Sequence, residues 1–304
     1  MMRSHSLAVT NSDGFSAPRG VLAALLLALP LLLGATQAHA AADLSFNYAS
    51  GALTGTDTFA GLGYHSLGLV NGTAAPATFT LAYLKDGTDV AGYESLNDSL
   101  LAAIASHGDE AKVIPDLMKS VEALGGTIVA PNGEIDMYAD LQAGTYVVAA
   151  SAVGPNGAAS GKTSYLAFTV SDNGKAAAAA PSTTNAVDFK DFSFDFPAKV
   201  PAGDNLWKIT NAGSQVHLST IYKLLPGKSV DDLKAFLSPD SAGGPPPFDP
   251  SAVVDVEAVS PGQTVYIPLD LSKGDWVAVC FIQDLTPPHL PHFMEGMIEE
   301  FAVS

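Results

Sequence analysis

The sequence predicts an all-β protein made of two tandem β-sandwiches with short helical insertions. Three observations support this class. Short runs of β-branched and aromatic residues recur along the chain, 28 glycines and 20 prolines supply turns between them, and the two halves match each other piece by piece. At 304 residues the chain is long enough for two domains, each with its own core.

Residues 1–40 have the features of an export signal. Arg19 precedes an apolar run over 21–33, and Ala38-His39-Ala40 forms a small-residue cleavage site. Pro30 interrupts the apolar run, which is shorter than the roughly 20 residues that cross a bilayer. We therefore expect cleavage after Ala40, no membrane span in the mature chain, and a periplasmic or secreted location.

The first sandwich is predicted over residues 43–171. Runs rich in β-branched and aromatic residues predict strands at 67–70, 77–84, 135–141, 146–150 and 165–170. Apolar residues at helical spacing predict a helix over 96–104, and a second helix over about 116–124 follows Pro115.

Residues 172–186 have the small-residue, Pro- and Ser/Thr-containing composition of a linker, and the second sandwich is predicted over 187–304. Alternating phenylalanines predict one strand over 187–196, and another strand follows at 206–210. Ser229 and Asp232 have the spacing of a capping box that opens a helix. The proline-rich segment 243–250 predicts an extended surface loop.

The alignment of the two halves is an internal control. Residues 133–148 parallel 262–277, and Asn71 parallels Asn211. The sixth residue after Asn211 is His217, whereas the sixth after Asn71 is Ala77. Cys280 has the same relation to Gly274 that Ala150 has to Gly144. The first half is therefore expected to share the frame without the histidine and the cysteine.

Soft metal ligands are concentrated in residues 280–297. This stretch holds the only cysteine of the chain, Cys280, together with His289, His292, Met294 and Met297. Outside the cytoplasm, a lone cysteine must be buried, paired between chains or bound to a metal. A thiolate, an imidazole and a thioether are ligands that copper favours, and His217 is available as a second imidazole.

These residues carry a resemblance to a known family. The segment 211–217, the run Gly274-Asp-Trp-Val-Ala-Val-Cys280-Phe, and Pro291-His292 followed by Gly296-Met297 resemble the cupredoxin (blue-copper) family, in particular its secreted cupredoxin-like branch. The resemblance covers residues 187–304 well and 43–171 only as a degenerate relative. It implies two Greek-key cupredoxin-like sandwiches, with copper bound by the second.

Carried over position by position, the resemblance implies His217, Cys280 and His292 as trigonal ligands and Met297 as the weak axial ligand. Two features depart from the family pattern. The loop from Cys280 to His292 is long, and Leu218 stands where many cupredoxins have an asparagine that bonds this loop. The longer loop predicts a less constrained ligand, although Pro287, Pro288 and Pro291 would stiffen it. The missing asparagine predicts a weaker site.

His289 is an alternative to His292, and Met294 is an alternative to Met297. His292 is favoured because its spacing to Met297 matches the family. Considered alone, His289 fits a solvated loop residue, and each methionine fits a packing role.

The composition also restricts the function classes. A net charge of -17 disfavours nucleic acid, and a partner would be a basic-patched redox or copper-accepting protein. Multicopper oxidases need paired His-x-His motifs, and the sequence contains none. The chain is therefore predicted to be an electron-transfer or copper-carrying protein and not an enzyme. The alternative is a metal-free binding or scaffolding module of the same fold.

Overall fold

The structure, a computed structural model, describes residues 41–106, 108–154, 159–238, 241 and 243–304. The predicted export signal at 1–40 lies outside the described residues. The strands, in chain order, are β1 (Leu44–Ala49), β2 (Ala52–Gly55), β3 (Thr58–Ala60), β4 (Gly63–Asn71), β5 (Ala77–Leu84), β6 (Val121–Val129), β7 (Glu134–Leu141), β8 (Gly144–Val153), β9 (Ala159–Ser171), β10 (Asn185–Lys190), β11 (Ser193–Asp195), β12 (Gly203–Asn211), β13 (His217–Leu224), β14 (Phe248–Val259), β15 (Thr264–Leu271), β16 (Gly274–Val279) and β17 (Ile298–Val303).

Short helices complete the chain. The α-helices are α1 (Val90–Ala105), α2 (Ile114–Ser120) and α3 (Val230–Leu237). Within the described residues, two 3-10 helices span Glu110–Lys112 and His292–Glu295. Ser229 and Asp232 form the predicted capping box of α3, each side chain accepting from the other residue's backbone N–H.

The strands of the described residues form two sheets. The order in the eight-stranded sheet is β11-β10-β12-β15-β7-β4-β1-β2, and the order in the nine-stranded sheet is β17-β16-β13-β14-β6-β5-β8-β9-β3. Buried side chains from both sheets pack into one hydrophobic cluster between them, which contains Phe46, Phe168, Phe189 and Trp276. The predicted all-β sandwich class with short helices is confirmed.

Both sheets run through both halves of the chain. β15 pairs with β7 in one sheet, and β14 pairs with β6 in the other. The predicted linker 172–186 lies alongside, where Ala178 bridges to Gly63, and β10 already begins at Asn185. The division into 43–171 and 187–304 stays a prediction, and the two segments share continuous sheets.

Strand registers correspond between the halves. Thr80 of β5 pairs with Ala149 of β8, and Thr220 of β13 pairs with Val279 of β16. Continuing these registers places Ala77 at the position of His217. Both halves therefore pair these strands at corresponding positions. The tandem duplication itself stays a prediction.

Two predicted elements were wrong in extent. The predicted strand 187–196 is a hairpin of β10 and β11, because Phe192 adopts a positive φ of 62° and turns the chain. The predicted surface loop 243–250 ends early, because Phe248 is buried and pairs with Leu224 at the start of β14. Alternating phenylalanines do not reveal a turn when the turn residue is itself a phenylalanine.

Two neighbouring carboxyls lie on β14 near the seam between the halves. The Thr220 hydroxyl donates to the Asp255 carboxylate (2.9 Å), and the Thr127 hydroxyl of β6 donates to the Asp255 carbonyl oxygen (2.8 Å). Burial raises the pKa of Asp255 to about 6. Burial and the neighbouring Asp255 raise the pKa of Glu257 well above its usual range. At pH values between the unfolded and the folded pKa values, the folded pair therefore keeps a proton that the unfolded chain would release.

We expect this pair to make the free energy of unfolding fall as the pH rises from about 4 through 6 and beyond, because its carboxyls bind more protons in the folded state than in the unfolded state. The buried imidazoles of His217 and His292, whose pKa values are lowered, act in the opposite direction. Glu257→Gln removes the repulsion, so the change in unfolding free energy on going from about pH 5 to about pH 8 should be more positive in the variant than in the unmodified chain. Urea unfolding of both proteins at about pH 5 and about pH 8 measures the difference. Identical slopes in the two proteins would contradict the assignment.

Candidate metal centre

Three metal-donor residues come together at one end of the second half. His217 is the first residue of β13, Cys280 directly follows β16, and His292 opens the second 3-10 helix. All three side chains are fully buried. The His217 and His292 Nδ1 atoms lie 3.1 Å apart, and the Cys280 Sγ lies 3.5 Å from the His292 Nδ1. One ligand atom from each residue lies within 4.8 Å of the other two.

Backbone hydrogen bonds fix the far end of the long loop. The His292 N–H donates to the Ile282 carbonyl (2.8 Å), and the Phe293 N–H donates to the Cys280 carbonyl (3.0 Å). The Cys280 N–H donates to the Met297 carbonyl (3.1 Å). These bonds anchor the backbone of His292 despite the length of the loop. Gln283 bridges to Pro291, so the two ends of the loop come together just before His292.

Gln215 links the segment before β13 to the same loop. Its side-chain amide donates to the Asp284 carboxylate (2.9 Å), and its side-chain oxygen accepts from the Leu285 N–H (3.2 Å). These hydrogen bonds connect the segment before β13 to the loop, which the apolar side chain of Leu218 cannot do. No sequence signal separates Gln215 from any other polar loop residue.

The sulfur of Cys280 faces two backbone donors. Burial raises the pKa of the Cys280 thiol to about 12, and the backbone N–H groups of Leu218 and Ile282 partly oppose this increase by donating to the sulfur. Without a cation the residue is therefore a neutral thiol. Two amides that point at the sulfur are suited to a thiolate, the form that binds metals.

Burial favours the neutral form of both imidazoles. Burial, with a smaller contribution from neighbouring His217, lowers the pKa of His292 to about 4. Burial also lowers the pKa of His217, although hydrogen bonding to Asp191 partly offsets this effect. A neutral ring keeps a nitrogen lone pair for a metal. The buried His292 Nε2 has no hydrogen-bond partner among the described residues. The Phe192 ring packs edge-on against the His292 ring, with 5.3 Å between the ring centroids.

A carboxylate contacts the outer nitrogen of His217. The Asp191 Oδ1 lies 3.0 Å from the His217 Nε2. Partial burial opposes the charge on Asp191, but hydrogen bonds from Ser214, His217 and Gln215 outweigh it and lower the pKa of Asp191 to about 2. Asp191 was not predictable from the sequence, because it lies 26 residues before His217 in a segment predicted as one continuous strand.

The structure also separates the alternative donors. Met297 is fully buried in the same core cluster as Cys280, whereas Met294 is 40% exposed. His289 lies outside the donor group, and its Nδ1 is 2.9 Å from the Asp284 carbonyl oxygen. The structure thus brings His217, Cys280 and His292 together with a buried Met297 nearby in sequence.

The donor set fits copper. Two imidazoles and a thiolate are the in-plane ligands of a trigonal copper site, and a thioether is its usual weak axial ligand. The residues present supply each of these groups, and a buried imidazole nitrogen and a buried sulfur lie 3.5 Å apart. Copper is the cofactor that this group of side chains would hold.

Comparisons with known proteins return matches to solved structures. Reduced auracyanin from Roseiflexus castenholzii is 22% identical, with 41% of this chain and 99% of that chain covered and a TM-score of 0.26. Auracyanin A, a "blue" copper protein from Chloroflexus aurantiacus, is 18% identical over 39% and 98%, with a TM-score of 0.24. The blue copper oxidase from Nitrosomonas europaea is 12% identical over 86% and 85%, with a TM-score of 0.22.

No family model matches the chain, and no curated protein matches it either. No helix within the described ranges combines the length and apolar character needed to cross a membrane. At these identities and TM-scores the solved structures do not assign the chain to a family, and the metal centre rests on its own geometry.

Proposed function

We propose that this chain is an exported type 1 copper protein that transfers single electrons. His217, Cys280 and His292 would hold the ion, with Met297 as a fourth, weak ligand. The observation that carries the proposal is the convergence of two buried imidazoles and the chain's only cysteine to within 4.8 Å. Copper, when bound, supplies a one-electron redox couple.

The protein frame contributes rigidity. His217 lies on a paired strand, and backbone hydrogen bonds join the Cys280 and His292 segments. A fixed donor set that changes little between oxidation states keeps the cost of electron transfer low. The full burial of the three donors favours a retained ion over one that is handed to a partner.

We also propose roles for the rest of the chain. The first half is a copy of the sandwich without ligands, in which Ala77 and Ala150 occupy the corresponding positions. Export places the mature protein in the periplasm or outside the cell. The net charge of -17 favours docking to a redox protein with a basic patch. Without His-x-His motifs for further copper ions, the protein is an electron carrier and not an oxidase.

Metal analysis and absorption spectroscopy of the mature chain test the proposal. After addition of Cu(II) and removal of excess ion, we expect one copper per chain and an intense visible band from thiolate-to-copper charge transfer. A colourless protein without bound copper would refute the proposal and favour the metal-free binding or scaffolding module. Bound copper that a chelator removes at once from the Cu(I) state would favour copper carriage.

The choice between the two loop histidines gives a matched pair of variants. Loss of a residue that contacts a metal ligand typically lowers metal affinity about 10–100-fold. We expect His292→Ala, which removes a ligand itself, to lower copper affinity by more than this. His289→Ala should leave the affinity within about threefold, because its ring contacts the Asp284 carbonyl and not the donor group. Competition titration with a copper chelator measures both. An equal loss in the two variants would show that the wrong imidazole was assigned.

A further inference from the structure

The turn between β10 and β11 covers the metal centre from outside. It consists of Asp191 and Phe192, and the positive φ of Phe192 directs the chain back on itself. The Phe192 ring lies edge-on to His292, and the Asp191 carboxylate reaches His217. Both buried rings therefore contact the same two-residue turn.

Asp191 is held in place by other donors. The Ser214 N–H donates to both carboxylate oxygens (2.9 and 3.0 Å), the Ser214 hydroxyl donates to Oδ2 (2.6 Å), and the Gln215 N–H donates to Oδ1 (3.2 Å). Ser214 and Gln215 belong to the segment that leads into His217. The carboxylate is thus fixed relative to the ring it contacts.

This contact determines the tautomer of His217. A carboxylate is an acceptor only, so the His217 Nε2 must carry the proton that it donates to Asp191. A neutral ring protonated at Nε2 has its lone pair on Nδ1. Nδ1 is the atom that lies 3.1 Å from His292 Nδ1, on the side of the donor group.

Gly213 provides the space for this arrangement. A Cβ at this position would lie 2.8 Å from the His217 Nε2 and would also overlap the Asp191 carboxylate. Any side chain would push apart the two groups that form the hydrogen bond. Glycine is required here for close approach.

The first half lacks this arrangement at the corresponding turn. Tyr48 pairs with Asn71 as Phe189 pairs with Asn211, so Ser50 and Gly51 occupy the places of Asp191 and Phe192. The half without the histidine also lacks the carboxylate. The turn itself therefore does not require an aspartate.

We propose that Asp191 is the positioning residue of the metal centre, holding His217 with Nε2–H outward and Nδ1 toward the donor group. Its negative charge favours the more positive oxidation state of a bound cation. The redox part of this inference rests on the proposed copper function, and the positioning part concerns the chain alone.

Three variants separate the hydrogen bond from the charge. Asp191→Asn keeps an oxygen acceptor and removes the charge. Asp191→Ser introduces the residue of the first-half turn, removes the charge and withdraws the side-chain oxygen from His217, because a serine side chain is one bond shorter. Asp195→Asn is the control, because Asp195 is an exposed carboxylate of the same hairpin that pairs with Lys190. Each variant is first checked for an intact fold by circular dichroism and thermal melting.

Nitrogen NMR of the histidine rings, recorded without metal, reads the tautomer directly. We expect His217 to carry its proton on Nε2 in the unmodified chain, in Asp191→Asn and in Asp195→Asn, and to lose this preference in Asp191→Ser. A proton on Nδ1 in the unmodified chain, or an unchanged ring in a folded Asp191→Ser, would overturn the positioning role.

Measurements on the copper-loaded chain test the effect of the Asp191 charge. Asp191→Asn should raise the reduction potential and lower Cu(II) affinity about tenfold relative to Cu(I), while Asp195→Asn behaves as the unmodified chain. Equal potentials in these two variants would overturn the charge effect, including when Asp191→Ser does not fold. If the unmodified chain takes up no copper, the proposed function fails, and the ring NMR still decides the positioning role.

Discussion

Cys280→Ser is expected to abolish the visible charge-transfer band of the copper-loaded protein. The band requires a thiolate bound to copper, and Cys280 is the only cysteine of the chain. Copper affinity should fall by more than the about 10–100-fold that follows loss of a residue contacting a ligand. The reason is that a serine hydroxyl stays protonated and binds copper weakly. Absorption spectra and copper content after loading measure both effects.

The metal-free variant supplies the control for this experiment. Serine is nearly isosteric with cysteine, and its oxygen can accept from the Leu218 and Ile282 N–H groups that face the sulfur. We expect the metal-free variant to fold, with an unfolding free energy within about 2 kcal/mol of the unmodified chain. A visible band that survives in folded Cys280→Ser would disprove thiolate ligation.

Asn211→Ala should destabilise the fold and impair the metal centre together. Asn211 is fully buried, and its amide group donates to the carbonyls of Gln215 and Val259 (2.7 Å each), while its oxygen accepts from the Gly213 N–H (2.9 Å). Alanine leaves these groups without partners at a cost of about 3 kcal/mol. The segment from Asn211 to His217 would also lose its internal brace, which should lower copper affinity.

Asn71→Ala is the matched variant in the first half. Asn71 is equally buried and makes corresponding contacts, with donation to the carbonyls of Ala75 and Val129 and acceptance from the Thr73 N–H. It should cost a similar free energy of unfolding in urea and leave copper affinity unchanged in the folded protein. Equal loss of copper affinity in both variants would show that the brace acts through global stability alone.

Local structure was more predictable from the sequence than long-range contacts. The strand predicted at 77–84 coincides with β5, and the Ser229 capping box begins α3. Both follow from periodicity and side-chain chemistry within a few residues. The predicted helix over about 116–124 instead ends at Ser120, because the chain enters β6 and pairs with β5 there. Strand pairing overrides local helical spacing at this point.

The innermost donors of the candidate site were predictable, but their surroundings were not. His217, Cys280 and His292 stand out because Cys280 is the only cysteine of the chain and the two histidines have a recognisable spacing relative to it. Asp191 and Gln215 are ordinary polar residues, and only the folded hairpin and loop bring them to the donor group. The continuous sheets across the two halves likewise depend on edge-strand pairing, which no local pattern encodes.

Copper K-edge X-ray absorption of the loaded, mature chain is the most direct test of the metal centre. We expect a first shell of one short copper–sulfur bond and two copper–nitrogen bonds from imidazole, with little change in these distances on reduction. A first shell of nitrogen and oxygen only, without sulfur, would contradict the assignment of Cys280, His217 and His292 as the ligands.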